Sequence, residues 1–171
     1  MTENAAAIIL VQDVFWQMGE ALMFQHTNPW ELDEALMDWG YLMGPCEAQD
    51  LVGLEKVLAR SPERPIPILH RMVSEGRMGK GGGVGYYRYP GGGGAVIDPL
   101  IEDLILEEAW FGKMTRSELP DAALVQRMNA ALTPVCANLL DEGMTPAALL
   151  ALLGVAIHYP MDRGLGGLGM A

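Results

Sequence analysis

From Gly79 to Gly94, nine of sixteen residues are glycine. No helix or strand tolerates that density, because each glycine loses the most backbone freedom on ordering and brings no side chain to pack. The segment is therefore one long loop, and the flanks on either side must fold from their own residues. Both are rich in Ala, Leu, Met and Glu, while β-branched residues are scattered, so an all-α fold is expected. The expected organisation is a first helical unit with the Gly-rich loop at residues 1–90 and a second, degenerate unit at 95–171.

Helix periodicity fills in the units. Ile8, Val11, Phe15, Met18 and Leu22 alternate steps of three and four and predict a first helix to about Gln25. Asn28-Pro29 is a cap followed by a first-turn proline, and the helix it opens runs to Trp39 and stops at Gly40. Gly44-Pro45 opens a short helix that should turn Leu51 and Val52 inward. The Pro-rich link Ser61 to Pro67 follows, then a helix from Ile68 to Ser74 ended by Gly76. Beyond the loop, Asp98-Pro99 repeats the cap-plus-proline start, and Ile97, Leu100, Ile101, Leu104, Ile105 and Ala109 form a stripe opposite Glu102, Asp103, Glu107 and Glu108. Ser117 or Asp121 should cap a longer helix carrying Leu124, Met128, Ala131, Val135 and Leu139, with Pro134 expected to kink it at ~3 kcal/mol. Thr145-Pro146 starts a last helix to about Ile157, followed by a Gly-rich tail. Helix, short turn, Asn28-Pro29 or Thr145-Pro146, helix, Gly40 or Gly154, then Pro45 or Pro160 recur in the same order, a weak internal duplication.

A net charge of −11 excludes a general nucleic-acid binder, which needs a basic face to displace phosphate counterions. Between Arg60 and Arg88, however, six basic residues face two acids, a local balance of +4 that leaves −15 for the remainder. An anion is best attracted there. Cys46 and Cys136 lie in apolar contexts and read as buried free thiols of a reducing cytoplasm. No signal peptide is visible, and the longest apolar run, Ala147 to Ile157, is shorter than a membrane span, so no membrane partner is expected. Trp16, Met18, Met23, Phe24, Trp30, Leu149, Leu150, Leu152 and Leu153 exceed what one small core is expected to hide, which points to self-association.

Catalytic signatures are sparse. Gly164 to Gly169 spells the dinucleotide-binding pattern G-x-G-x-x-G, but no strand precedes it and only two residues follow. Lys80 is followed by Gly81, so the loop is not a Walker motif. His26, His70 and His158 stand far from one another and from either cysteine, which argues against a metal site. Glu107-Glu108 and Asp141-Glu142 read as solvated helix charge and not as general acids. No catalytic residue is assigned.

Two segments in fixed order carry a resemblance. Met43-Gly44-Pro45-Cys46-Glu47-Ala48-Gln49-Asp50-Leu51-Val52-Gly53-Leu54 and Gly76-Arg77-Met78-Gly79-Lys80-Gly81-Gly82-Gly83-Val84-Gly85-Tyr86-Tyr87-Arg88-Tyr89 resemble the helical C-terminal part of 3-hydroxyacyl-CoA dehydrogenases. Asp121 to Gly143 is similar to the opening helix of the second helical unit of multifunctional β-oxidation enzymes. The resemblance implies a helical bundle like the C-terminal domain of phosphogluconate dehydrogenase. It also implies a place in NAD-dependent oxidation of 3-hydroxyacyl-CoA, with the NAD site and the catalytic His and Glu in a nucleotide-binding domain that this sequence does not contain. For this chain it implies dimerisation and one wall of an acyl-CoA cleft, with Met43, Gly44, Pro45, Asp50, Arg77, Gly79 and Lys80 as candidate substrate-binding residues. A homodimer or a nucleotide-binding subunit is the implied partner.

Departures fall at polar positions. The Asn that lines the family's cleft falls at Val11, the loop's Lys-Thr is Gly81-Gly82, and an Asn-Glu pair falls on Pro134-Val135. Each exchange removes a side-chain donor or acceptor. The isolated chain is therefore expected to be inactive, and a non-catalytic helical scaffold or interaction subunit is the alternative reading.

Overall fold

The computed structural model describes residues 3–170; Met1, Thr2 and Ala171, at the outer ends of the two expected units, lie outside the described residues. Eight α-helices are present among them: α1 (Glu3–Gln25), α2 (Pro29–Trp39), α3 (Pro45–Val52), α4 (Leu54–Arg60), α5 (Ile68–Ser74), α6 (Pro99–Phe111), α7 (Asp121–Asp141) and α8 (Pro146–Ile157). No strand occurs among the described residues. Three isolated bridges, Gly79 to Val84, Val84 to Arg88 and Arg88 to Val96, fold the glycine segment back on itself.

The cap-plus-proline starts are where periodicity puts them. Asn28 Oδ1 accepts from the Glu31 N–H at 2.9 Å, Asp98 Oδ1 from Leu100 at 3.2 Å, and Thr145 Oγ1 from Ala148 at 3.1 Å. α7 departs from expectation, since neither Ser117 nor Asp121 caps it. Pro120 precedes it with a fixed φ, and Ser117 instead donates its N–H to Gln25 O while its hydroxyl meets His26. α7 continues through Pro134, which with Ala130, one turn before it, lies on the exposed side of the helix. Helix α4 is an element the periodicity misses, because Gly53 separates it from α3 by a single residue with φ of 103°. Leu51 points outward and Val52 is half-buried, because the inward face of α3 is taken by Cys46, Ala48, Gln49 and Asp50.

α1 is the central element. It packs on α7 and α8 from the second half of the chain and on α3 and α6 from the first half and the segment after the loop, while α2 packs on α7. The buried residues of both halves form one contiguous core, with Val11, Phe15, Met23, Leu32 and Leu36 meeting Met128, Leu132, Leu149 and Leu153. The apolar surplus is thereby absorbed within the chain. Trp16, Met23, Phe24, Leu149, Leu152 and Leu153 are buried, and Met18, Trp30 and Leu150 are partly so. Among the described residues α1 is the one helix that by length and composition could cross a bilayer, but half of it is enclosed by the other helices. Its Glu20 is buried in an ion pair with Arg64 at 3.1 Å, and the second carboxylate oxygen accepts the Leu69 N–H at 2.7 Å.

Candidate functional site

The two sequence segments that stand out, Met43 to Leu54 and Gly76 to Tyr89, lie against each other, and two buried carboxylates hold them there. α2 turns Asp33 inward, where Oδ1 accepts from Cys46 N at 2.9 Å and Oδ2 from Glu47 N at 3.1 Å. These are N–H groups in the first turn of α3, whose own cap, Gly44, has no side chain to offer them. Gly44 is glycine because a Cβ there would occupy the space of the Asp33 carboxylate. α3 in turn presents Asp50, whose Oδ1 accepts from Tyr86 N at 2.9 Å and whose Oδ2 accepts from Tyr87 N at 3.0 Å and from the Tyr89 hydroxyl at 2.6 Å. Tyr87 joins the two centres, because its hydroxyl donates to Asp33 Oδ2 at 2.8 Å. A Cβ on Gly85 would lie inside the Asp50 carboxylate, and one on Gly79 would run into the Asp50 carbonyl.

Burial dominates the electrostatics of both acids. It pushes Asp33 up to about 7 and Asp50 up to about 6, against the lowering effect of the N–H and O–H donors aimed at them. Tyr87 and Tyr89 are held far above the ordinary tyrosine range, first by burial and then by the neighbouring carboxylates. Cys46 is raised likewise, by burial and then by Asp33 and Asp50. Every carboxylate oxygen of Asp33 and Asp50 accepts a bond from the protein and both side chains are enclosed, so the two acids hold the loop against α3. Among the described residues no group of His, Cys, Asp and Glu is arranged to hold a metal.

The loop cations divide. Arg77 is committed to the fold: it pairs with Asp98 at 2.8 Å and donates to Gly85 O at 2.8 Å, which ties the loop to the start of α6. Arg77, a candidate substrate contact, thus has both terminal nitrogens engaged by groups of the chain itself. Lys80 forms no ion pair among the described residues and sits 5.8 Å over the Tyr89 ring. Arg88 is exposed. Of the other candidates, Met43 is half-buried against the core, and Gly44, Pro45, Asp50 and Gly79 are buried. Leu42, immediately before Met43, is among the most exposed apolar side chains.

Asp33 is the position in this network that sequence reasoning passes over. Asp33 looks like one more solvated acid of α2, beside Glu31 and Glu34. The available signal is the missing acceptor at Gly44-Pro45, a helix start that needs a carboxylate from elsewhere in the chain. Val11 is fully buried, Gly81 and Gly82 are exposed, and Val135 is buried, so the three departures place no polar side chain at the surface of this region. His26 contacts the Ser117 carbonyl at 2.8 Å, which gives it a structural role. The Gly164–Gly169 tail forms one 3-10 turn, Leu165–Leu168, between Gly164 and Gly169, with no strand before it among the described residues. Among the described residues the tail therefore lacks the strand–turn–helix setting in which that glycine pattern cradles a dinucleotide.

Residues 13–89 match the family model of the 3-hydroxyacyl-CoA dehydrogenase C-terminal domain. The chain is 29% identical over 175 residues to the peroxisomal bifunctional enzyme of Danio rerio, covering 88% of this chain and 24% of that protein. It is 32% identical over 167 residues to the peroxisomal fatty acid beta-oxidation multifunctional protein of Oryza sativa subsp. japonica, covering 88% and 23% respectively. The dehydrogenase part of multifunctional enzyme 1 from C. elegans shares the fold, with a TM-score of 0.68 at 21% identity over 86% of this chain and 35% of that one. The chain spans about a quarter of the length of the curated relatives it matches.

Proposed function

With residues 13–89 belonging to the 3-hydroxyacyl-CoA dehydrogenase C-terminal domain family, we propose that this chain supplies the helical wall of an acyl-CoA cleft whose nucleotide-binding half is another unit. The observation that carries the proposal is the Asp33–Tyr87–Asp50 network, which brings Met43-Gly44-Pro45 and the Gly79–Tyr89 loop together as one rigid surface. On that surface Lys80 and Arg88 carry no ion pair among the described residues, and Lys80, beside Tyr89, is the cation placed to meet a phosphate, while Arg77 fixes the loop from behind. In this reading the other unit would hold NAD, which would supply the hydride acceptor, while this chain's residues bound one side of the substrate cleft and exclude water from it.

The reaction served is oxidation of 3-hydroxyacyl-CoA to 3-oxoacyl-CoA in fatty-acid degradation. The partner is a nucleotide-binding unit or a second copy of the chain, and exposed Leu42 and Leu51 beside the motif are apolar surface for either to cover. The pattern of packing, in which α1 lies on α7 and α8 while α2 lies on α7, is what two repeats related as α1 to α7 and α2 to α8 would make. It supports reading 1–90 and 95–171 as duplicated units. Buried free Cys46 and Cys136 suit a reducing compartment, the cytoplasm or a peroxisomal matrix.

Two measurements test the reading. Isothermal titration of the purified chain with acetoacetyl-CoA should show weak, salt-sensitive binding that is lost on Lys80→Ala. Incubation with 3-hydroxybutyryl-CoA and NAD should give no NADH. Steady NADH production would refute the division of labour. Absence of any acyl-CoA binding would favour the second reading, a scaffold subunit, which the loss of side-chain donors at Val11 and Gly81-Gly82 also favours.

A further inference from the structure

We infer that the outward face of α6 is a docking surface for a partner's amphipathic helix that carries Lys or Arg beside its apolar stripe. α6 is pinned to the core by Ile101, Leu104, Ile105 and Ala109, all buried. Its opposite side carries Leu100, Asp103, Leu106, Glu107, Trp110 and Phe111, all exposed. Helical spacing sorts these into two adjacent rows, Asp103, Leu106 and Trp110 in one and Leu100, Glu107 and Phe111 in the other, so each row mixes apolar side chains with an acid. Trp110 is 77% exposed and Phe111 64%, which leaves two large rings in water. The rings meet edge-on with centroids 5.5 Å apart and so present one fixed apolar surface. Beside them a notch of about 460 Å³, lined by Trp110, Phe111, Lys113, Met114 and Thr115, is a concave seat for an anchoring side chain.

Charge decides what covers this face. The Arg71 guanidinium of α5 is shared by three carboxylates, Glu107 at 2.5 Å, Glu75 at 3.1 Å and Glu108 at 3.6 Å. Asp103 forms no ion pair among the described residues. Four acids therefore stand against one cation along this edge of α6, and Lys113 adds a second cation only past the end of the helix. A partner's Lys or Arg lowers that surplus where it lands beside Glu107 and Asp103, and the open Trp110 ring attracts the same cation. A helix with an apolar stripe then covers Leu106, Trp110 and Phe111 in the same step. A second copy of this chain would instead set Asp103 and Glu107 against acids of its own kind, and an anionic lipid surface would add like charge. The face shares no residue with the Met43–Leu54 or Gly76–Tyr89 segments, so this inference stands apart from the acyl-CoA reading.

The test is a titration of the full ¹⁵N-labelled chain followed by ¹H–¹⁵N spectra. The probe is a synthetic helical peptide of about 15 residues, roughly four turns, with leucines along one stripe and lysines on either side of it. Its control has glutamate in place of every lysine. The chain has four tryptophans, and the Trp110 indole N–H is identified by its loss in Trp110→Ser. The expected result is saturable movement of that signal with the lysine peptide, at an affinity at least about tenfold above that of the glutamate peptide. The double variant Trp110→Ser, Phe111→Ser, at two exposed positions, should weaken the lysine peptide by about tenfold or more while the rest of the spectrum stays in place. Asp103→Asn with Glu107→Gln should narrow the gap between the two peptides, and Leu42→Ser with Leu51→Ser, at the other exposed leucines, should change neither affinity. Equal binding of the two peptides, saturation that leaves Trp110 still, no saturation, or undiminished affinity in the Trp110, Phe111 variant would each overturn the proposal. Concentration-dependent movement of Trp110 in the chain alone would overturn it in favour of a second copy, and tighter binding to phosphatidylcholine vesicles than to the lysine peptide would overturn it in favour of a membrane.

Discussion

Replacing Arg77 and Lys80 one at a time separates the fold of the glycine loop from its surface. The Arg77 guanidinium makes two bonds of 2.8 Å, to Gly85 O and to Asp98 Oδ2, with its side chain 11% exposed and that of Asp98 5% exposed. Charge-assisted bonds of this kind contribute roughly 1.5–3 kcal/mol each. Arg77→Ala leaves the Gly85 carbonyl without a partner, while Asp98 keeps only the Leu100 N–H and the favourable start of α6. The expected loss is about 2–4 kcal/mol, or roughly 5–15 °C in Tm for a chain of this size. Lys80 has only its position 5.8 Å over Tyr89, which corresponds to about 0–1 kcal/mol. Arg77→Lys, whose point charge cannot span both acceptors, should fall between wild type and Arg77→Ala. Urea unfolding followed by tryptophan fluorescence reads all three. Should Arg77→Ala and Lys80→Ala lose the same stability, or Arg77→Ala lose less than about 1 kcal/mol, the division of the loop into a structural and a free cation is wrong.

Further outcomes follow from the same geometry. Arg64→Met strands the buried Glu20 carboxylate and should cost about 3–5 kcal/mol, while Glu20→Gln with Arg64→Met should recover more than half, because a glutamine oxygen still accepts the Leu69 N–H; chemical denaturation of the single and double variants checks this. Gly44→Ala and Gly85→Ala each push a Cβ into a carboxylate and should destabilise by about 1–3 kcal/mol, whereas Gly81→Ala, with open space around it, should stay within about 0.5 kcal/mol, as thermal melts would show. Asp33 at about 7 and Asp50 at about 6 sit above the ordinary carboxylate value of roughly 4, so between these limits the folded chain holds protons that the unfolded chain releases. Stability from these two groups is therefore greatest at the acidic end and falls as pH rises through 4 to 7; urea midpoints at pH 5 and 8 should differ in that direction, and Asp33→Asn should flatten the slope.

Most helices were legible because their signals are local. Asn28-Pro29, Asp98-Pro99 and Thr145-Pro146 each supply a cap acceptor and a pre-set φ within two residues, and the three- and four-residue spacing of apolar side chains marks one face without reference to the rest of the chain. The glycine loop was legible for the same reason. Its order was not, because it comes from Asp50, reaching 36 residues along the chain to Tyr86, and from Arg77 reaching 21 residues to Asp98. A charged residue reads as solvated until its partners are known, so Asp33, Asp50 and Arg77 could not be told apart from Glu34, Asp38 and Lys80 by composition or spacing. The fate of the apolar surplus was also a tertiary matter: α1 meets α7 and α8 across more than a hundred residues, and burial depends on which faces come together in space. Sequence therefore determined where the helices start, where the chain cannot be regular and which family the two motifs resemble. The tertiary structure decided which charges are spent inside, because desolvation and hydrogen bonding act on neighbours in space and not in sequence.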